Sequence, residues 1–438
     1  MPPSTTRGLC LFYFLLGVQL TLPDLGTSLW LIRAGVEVAR LGAITATLGV
    51  PWCLKPLYGL VSDAFPLRGR RRRPYIIGGN LAAAAAWLAL AYVPPEHPHA
   101  ETMGVALLLF ASLSTCVVDV MYDACLVVAV RGERDAAAHG LAQSNCWAAR
   151  AAGALCAALA SGFLLGVVRH PRHIFLLQAA LTAGTAALGA ALVAERRRPP
   201  TRVPSSCGGC AKFYARARET VDAWRATPAL WRSALFVFVF AATPSSYGAL
   251  FYFMVRELRF SAGTLGALQF ARHSAMLAGT LLYRRCCRHA PFRRFFVLLV
   301  LFSAALSCTP VVLVTHANAA WGVPDAAFAT GDDVALSIVG QVAQMPLLVL
   351  AAKLCPPGIE ATLYASFVSV MNFSGVVSGW TGALATHAWG VTKDDFTHLE
   401  ALILTCAATS LLPLAFVWLL PRGGVADLVA RRGGEGGR

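Results

Sequence analysis

The chain has 438 residues, of which 57% are hydrophobic and 13% are charged, and its mean hydropathy is +0.61. Soluble domains carry about 25% charged residues, so a soluble globular protein cannot account for this composition. A net charge of +15 would suggest nucleic-acid binding in a soluble protein. Here the basic residues cluster between apolar stretches, where membrane orientation explains them, and we expect no nucleic-acid partner.

Apolar stretches of about 20 residues recur along the chain, and each is long enough to cross a hydrocarbon core of about 30 Å. They predict an all-α integral membrane protein with twelve transmembrane helices in two six-helix halves. The first six spans are expected at residues 9–31, 38–61, 75–94, 102–130, 140–168 and 173–194. The second six are expected at 230–255, 262–283, 293–315, 333–354, 360–388 and 398–420. Six plus six is typical of a transporter built from two halves.

The spans divide the chain into four parts. These are an N-terminal half (1–194), a cytoplasmic central loop (195–229), a C-terminal half (230–421) and a cytoplasmic tail (422–438). Arg and Lys concentrate in alternate loops through all twelve spans, which predicts that both termini are cytoplasmic. In the central loop, Cys207 and Cys210 have the spacing of half a zinc site, but no second Cys or His pair lies nearby, and a flexible linker is the alternative. No cofactor is expected.

The loop between the second and third spans lies in KPLYGLVSDAFPLRGRRRRPYIIGGN, residues 55–80. Its positive charge is costly to move across a bilayer, so the loop should stay on the cytoplasmic side. It resembles the corresponding loop of the major facilitator superfamily. That resemblance implies a latch that breaks when a transporter changes state, formed by Gly59, Asp63, Arg70, Arg71, Arg72 and Arg73. The alternative is that these arginines only reflect the cytoplasmic position of the loop.

Ionisable residues inside a span cost about 2.5–3.5 kcal/mol each and usually mark a pathway through the bundle. Five such residues stand out: Asp24, Asp119, Asp123, Arg150 and Arg272. Asp119 and Asp123 are spaced i, i+4 and should share one helix face about 6 Å apart. Arg150 either binds substrate or neutralises one of these acids. One pair cannot neutralise both, so an acid remains for a proton, a substrate group or Arg272.

Two further positions leave alternatives open. His273, beside Arg272, is either a packed histidine or a proton relay. Asp24 follows Pro23, so its side chain either contacts substrate or caps backbone groups that the proline frees.

Helix-breaking residues 243–248, TPSSYG, interrupt the seventh predicted span. Transporters build their sites at broken helices near the middle of the membrane. Tyr247 in this segment and Trp380 in the eleventh span are candidates for stacking on a planar ring, or else aromatic anchors near span ends.

The second half is similar to a narrower family, the folate-biopterin transporters. The stretches that carry the resemblance are FVFVFAATPSSYGALFYFMVRELRFSAGTLG and VGQVAQMPLLVLAAKLCPPGIEATLYASFVSVMNFSGVVSG, together with KPLYGLVSD, RRRPY and the Asp-x-x-x-Asp of the fourth span. In the fifth span, Gln143, Ser144, Cys146, Trp147 and Arg150 also fit a stretch of this family. The resemblance implies proton-coupled transport of folates or pterins by alternating access. Other members carry solutes such as S-adenosylmethionine.

The charged residues suit this cargo. A pterin presents an amino group and a ring N–H side by side, two parallel donors for one carboxylate, Asp119 or Asp123. The anionic tail of folate needs an arginine fork, Arg150 or Arg272. The spare carboxylate, Asp119 or Asp123, would carry the coupling proton.

Rival hypotheses are a carrier of another solute, a non-transporting receptor, and a membrane hydrolase that uses the paired acids. The sequence lacks HExxH and GxSxG motifs, so we expect no enzyme. We expect the protein in the plasma membrane, because no organelle address is visible, with an organelle membrane as the alternative. We expect a monomer, because such carriers usually work as single chains.

Overall fold

A computed structural model describes residues 4–131, 136–168, 170–193, 195, 205–287, 290–354 and 360–423. Within these ranges the chain is helical and forms no strand, and Leu67 and Arg70 make an isolated bridge in a tight turn.

The first predicted half contains eight helices in the described residues. They are α1 (Ser4–Arg33), α2 (Val38–Thr47), α3 (Val50–Cys53), α4 (Lys55–Ala64), α5 (Arg73–Ala91), α6 (Ala100–Arg131), α7 (Ala136–Val168) and α8 (Pro171–Leu192). Helix α1 runs unbroken through Pro23. The expected single span at 38–61 is wrong in detail, because three short helices occupy it. Gly49 and Pro51 lie near the first interruption, and Pro56 lies near the second. The prolines have no backbone N–H, so they cannot donate a hydrogen bond to a carbonyl of the preceding helix.

The rest of the chain follows a central helix, α9 (Ser205–Ala226). The helices after it are α10 (Pro228–Ala241), α11 (Tyr247–Arg256), α12 (Ala262–Leu282), α13 (Phe292–Leu306), α14 (Pro310–Val314), α15 (Ala317–Ala320), α16 (Asp325–Leu354), α17 (Glu360–Ala388) and α18 (Leu399–Thr409). A π-helical turn at Tyr283–Cys287 extends α12, and a 3₁₀ helix at Leu412–Leu419 follows α18.

Helix α9 corrects the expectation of a flexible central linker. Its last 16 residues, AKFYARARETVDAWRA, include five Ala and three Arg, which favour helix. Cys207 and Cys210 belong to this helix, but their side chains lie outside the described residues.

Eight helices in the described part of the chain are long and apolar enough to cross a membrane. They lie at Gly8–Arg33, Arg73–Ala91, Ala100–Leu126, Ser144–Val168, Pro171–Leu192, Phe292–Val314, Asp325–Leu350 and Leu399–Leu419. Two of the other four predicted spans are interrupted, at 38–61 and 230–255, and two are the continuous helices α12 and α17. Interruptions and polar residues are typical of helices that line a transporter's cavity.

The chain forms two compact units that differ from the predicted halves. The first unit comprises Met1–Val36, Leu54–Arg218 and Ala262–Phe270, and the second comprises Glu37–Cys53, Glu219–Ser261 and Ala271–Arg438. Helices α2 and α3 therefore belong by packing to the second unit, where they lie against α17. The predicted halves are a division by membrane spans, and their boundaries stay a prediction.

Each unit has its own apolar core. In the first unit, Phe12, Tyr13, Ile76 and Tyr122 are almost completely buried, and the rings of Phe12 and Tyr122 stack with centroids 5.1 Å apart. The second unit's core includes the edge-to-face pair Phe236 and Phe296. The first of these cores includes residues of α6 and α7, the helices that carry Asp119, Asp123 and Arg150.

Candidate functional site

Asp119 on α6 is completely buried and is held by two cations of the first unit. The Lys55 ammonium at the start of α4 donates a hydrogen bond to Oδ2, and Arg150 Nη1 on α7 donates one to Oδ1 at 3.2 Å. Arg150 therefore neutralises one of the two acids, as one of the alternatives from the sequence has it. Lys55 was missed, although it lies inside the predicted span 38–61, where any lysine is costly.

Asp123 lies one turn further along α6 and has a different partner. Tyr13 Oη on α1 donates to its Oδ1 at 2.6 Å, and the Tyr13 side chain is fully buried. The two carboxylates of the i, i+4 pair are thus not equivalent, because Asp119 binds two cations and Asp123 accepts a hydrogen bond from a hydroxyl group. Tyr13 carried no signal in the sequence, since an aromatic residue in a first span is ordinary.

Two glycines bring α1 and α7 together beside α6. A Cβ at Gly17 would collide with the carbonyl oxygen of Arg150, and a Cβ at Gly153 would collide with the carbonyl oxygen of Phe14. Only glycine allows this approach of two backbones, a common device where membrane helices pack. The crossing fixes Tyr13 and Arg150 against α6. We call Lys55, Asp119, Asp123, Arg150 and Tyr13 the α6 cluster.

Arg272 on α12 belongs to a second cluster. Its Nε donates to Asp333 Oδ2 on α16 at 2.9 Å, and its Nη2 donates to Oδ1 at 2.8 Å. The same Nη2 donates to the Tyr247 hydroxyl at 2.7 Å, and the guanidinium lies 4.5 Å from the Tyr247 ring centroid. The sequence left Arg272 as one of three possible partners of the spare α6 acid, beside a proton and a substrate group, but in the structure the acid bound to Arg272 is Asp333. We call Arg272, Asp333 and Tyr247 the α12 cluster.

The predicted interruption of the seventh span is confirmed and positions Tyr247. Helix α10 ends at Ala241 and α11 begins at Tyr247. The carbonyl of Thr243, freed by the interruption, accepts a hydrogen bond of 2.6 Å from Ser378 Oγ on α17. The Thr243 carbonyl thus has a hydrogen-bond donor, which the lipid core of a membrane could not provide.

Trp380 on α17 is about 40% exposed, and its indole N–H donates to Thr47 Oγ1 on α2 at 3.0 Å. On the same helix, Asn372 Nδ2 donates to the carbonyl of Trp52 at 2.9 Å. Between α17 and α2–α3 lies a cavity of about 230 Å³, lined by residues that include Thr45, Trp52 and Asn372.

The loop after α4 contains the predicted aspartate–arginine pair. Arg72 Nη2 lies 2.7 Å from Asp63 Oδ1, and Arg71 Nη1 lies 3.7 Å from it. Arg68 and Gly69 have φ of 52° and 74°, and the Arg70 N–H donates to the Leu67 carbonyl at 3.0 Å. Two consecutive positive φ angles are typical of a type I′ turn, whose second position favours glycine.

The other latch residues have separate contacts. Arg73 Nη2 donates to the Ala190 carbonyl at the end of α8, and Gly59 faces Val120 of α6.

Glu195, just after α8, anchors this loop and was missed in the sequence. Its carboxylate accepts hydrogen bonds from the backbone N–H groups of Arg71, Arg72 and Arg73, at 2.7, 3.0 and 2.9 Å. Burial alone would raise the pKa of the Glu195 carboxyl, but these bonds outweigh it and hold the pKa below its ordinary value. A carboxylate at the start of α5 also suits the helix dipole.

Asp24 and His273 have polar neighbours in their own units. Gln269 Nε2 on α12 donates to Asp24 Oδ2 at 2.8 Å within the first unit. In the second unit, His273 is partly buried and interacts electrostatically with Arg272 and Asp333.

Residues 16–435 match the BT1 family. The chain belongs to this family. Among its relatives, a folate-biopterin transporter of Synechocystis is 39% identical over 94% of this chain and 80% of its own length. Folate transporter 2 of Plasmodium falciparum is 25% identical over 85% of this chain and 78% of its own length. The resemblance predicted from the sequence is thus confirmed.

Solved structures give the fold of this BT1 member. A D-xylose-proton symporter superposes with a TM-score of 0.68 at 12% identity, covering 96% of this chain and 98% of its own. A bacterial homolog of the human lysosomal transporter Spinster gives 0.63 at 13% identity, covering 96% and 97%. The fold is therefore that of the major facilitator transporters, as predicted, and the protein is a multi-pass membrane protein. The cytoplasmic position of both termini stays a prediction.

Proposed function

We propose that this BT1 protein is a proton-coupled carrier of folates and pterins that works by alternating access and catalyses no reaction. The name of the Synechocystis relative supports the cargo class. The observation that carries the proposal is the α6 cluster. Two carboxylates and two cations are held together inside an apolar bundle, where each charge is costly unless it is paired or functional.

Asp123 is the better placed of the two acids to bind the pterin ring. Asp119 already holds Lys55 and Arg150, whereas Asp123 accepts one hydroxyl bond from Tyr13. An ionised carboxylate has about four acceptor positions, so Asp123 keeps capacity for the amino group and ring N–H of a pterin. In this proposal Asp123 also takes and releases the coupling proton; the protonated form keeps its carbonyl oxygen for the amino group of the pterin and loses the bond from the ring N–H. Asp119 sets the charge around it.

The remaining predicted residues take supporting roles. Arg150 or Arg272 binds the anionic tail of folate, and Tyr247 or Trp380 supplies a ring face for stacking. The pair of Asp63 with Arg71 and Arg72 is the part of the latch that breaks when the carrier changes state. We propose a monomer in the plasma membrane with both termini in the cytoplasm.

The test is uptake of labelled folic acid and biopterin into proteoliposomes, with and without an inward proton gradient. Asp123→Asn should abolish gradient-driven uptake of both cargos while the protein remains folded. Glu101→Gln is the matched control, because it removes an acid from the same helix about 33 Å away. Unchanged gradient-driven uptake by Asp123→Asn would exclude the proton role of this residue. Absence of uptake by the folded wild-type protein would refute the cargo assignment.

A further inference from the structure

The α12 cluster contains an arginine that already holds a carboxylate. The fork formed by Nε and Nη2 of Arg272 engages both oxygens of Asp333, which is the geometry that makes arginine selective for carboxylates. The Asp333 side chain is 18% exposed and that of Arg272 is 27% exposed. A cargo carboxylate can use this fork only after Asp333 gives it up.

We infer that Asp333 and a carboxylate of the cargo compete for Arg272. When Asp333 takes up one proton, Arg272 is released from it and binds one carboxylate of the cargo. This inference rests on the proposed transport of folates, and it adds a second proton acceptor to that function. It also states which chemical group of the cargo the α12 cluster binds, namely a carboxylate.

The charges balance at each stage. Before binding, Arg272 and ionised Asp333 form a neutral pair. Asp333 then takes a proton from the aqueous phase and becomes a neutral carboxylic acid, while the guanidinium transfers its N–H bonds to the cargo carboxylate. The cluster is neutral again, and no uncompensated charge is left inside the bundle, where it would be costly.

Tyr247 keeps Arg272 in position during this exchange. The guanidinium lies over the Tyr247 ring and donates to its hydroxyl, and neither contact depends on the charge of Asp333. The arginine would therefore stay in place when Asp333 releases it. A preorganised fork loses less conformational entropy when the cargo binds.

Three other titratable groups lie near Arg272 and Asp333 and can affect the pH dependence of cargo binding there. His273 follows Arg272 in the chain and interacts with both members of the pair, and Tyr247 contacts Arg272. Asp332 precedes Asp333 but accepts a hydrogen bond from Thr309 Oγ1 instead. A protonated His273 would also attract an anion at low pH, so the test must separate His273 from Asp333.

The experiment measures equilibrium binding of folic acid and of biopterin to the purified protein. Biopterin has no carboxylate and serves as the internal reference. Between about pH 5.5 and pH 7.5 the carboxylates of folic acid stay ionised, so the pH dependence belongs to the protein. In the wild type, folic acid binding should weaken with rising pH more steeply than biopterin binding.

Asp333→Asn imitates the protonated acid at every pH. Apparent affinity scales with the fraction of molecules in which the fork is open, so folic acid should bind this variant at least about 10-fold more tightly than it binds the wild type at about pH 7.5. Its pH dependence should fall to that of biopterin, and biopterin binding should not change. Asp333→Glu should retain the dependence, and Arg272→Lys, which loses the fork, should weaken folic acid binding alone.

Asp332→Asn is the matched control, an adjacent acid on the same helix, and His273→Gln removes the other titratable group. Both should keep the difference in steepness between the two cargos. An unchanged folic acid profile in Asp333→Asn would overturn the inference, as would loss of the difference in His273→Gln. If Asp333→Asn does not fold, the profiles of Asp333→Glu and Arg272→Lys decide. Failure of the wild type to bind either cargo would instead refute the proposed function.

Discussion

Asp119→Asn gives the strongest test of the charge balance in the α6 cluster. The substitution leaves the Lys55 ammonium and the Arg150 guanidinium beside a neutral amide in a position that is completely buried. Removing one partner of a buried ion pair typically costs about 3–5 kcal/mol. We expect a loss of this size in the free energy of unfolding.

The double mutant Asp119→Asn/Lys55→Met restores the balance, because Arg150 and Asp123 then remain as one cation and one anion. It should be more stable than Asp119→Asn alone, with a coupling energy of about 2 kcal/mol or more. Thermal unfolding of the detergent-solubilised variants measures this, with Glu101→Gln on the same helix as the control. If the effects of Asp119→Asn and Lys55→Met simply add, Lys55 and Asp119 are not coupled and the reasoning is refuted.

Three further predictions concern the scaffold around the cluster and the loop. Gly153→Ala should destabilise the protein by about 1–3 kcal/mol because its Cβ collides with the Phe14 carbonyl. Gly166→Ala is the control on the same helix, and it should change thermal stability little because the space around Gly166 is open. Equal effects of the two substitutions would contradict this account of the crossing. Gly69→Ala should cost about 1 kcal/mol, since Gly69 has a φ of 74°, and a neutral result in thermal unfolding would count against the turn.

Glu195→Gln should weaken the three backbone bonds at the start of α5 by about 1 kcal/mol after solvent screening. Because folding lowers the pKa of Glu195, its contribution to stability is full above the ordinary glutamate pKa of about 4.3 and is lost as the pH falls through the lower folded value. The difference between wild type and variant in unfolding temperature should therefore shrink only in acid, and a difference that is constant with pH would contradict this.

The sequence predicts the fold well because the fold follows from hydropathy. Apolar runs place the spans, and the Thr243–Ser246 interruption is visible as a cluster of helix breakers. The α6 acids could be predicted because two aspartates stand alone in an apolar helix. Lys55 could have been found by the same argument, but its place beside a basic loop made it resemble a flanking charge.

Apart from the pairing of Arg150 with an α6 acid, these contacts between helices could not be predicted from the sequence. Asp333 lies at the start of the predicted tenth span, where an acid is ordinary, and only the packing of α12 on α16 pairs it with Arg272. Tyr13 is placed beside Asp123 by the close packing of α1 and α7 at Gly17 and Gly153. The hydrophobic pattern of the sequence does not predict which helices pack together. Glu195 stands within a basic stretch and would be assigned to solvent, yet it accepts three backbone bonds.

Both clusters follow one physical rule. In each, a cation is held by a carboxylate inside an apolar bundle, where net charge is costly, so in the proposed mechanism an anionic cargo enters more easily together with a proton. The α6 cluster has two acids for two cations, and the α12 cluster has one acid for one fork. Protonating Asp123 leaves the α6 cluster with one positive charge, and protonating Asp333 does the same for the α12 cluster. In the proposed mechanism a pterin therefore needs the proton on Asp123 alone, and a folate needs a second proton on Asp333 as well.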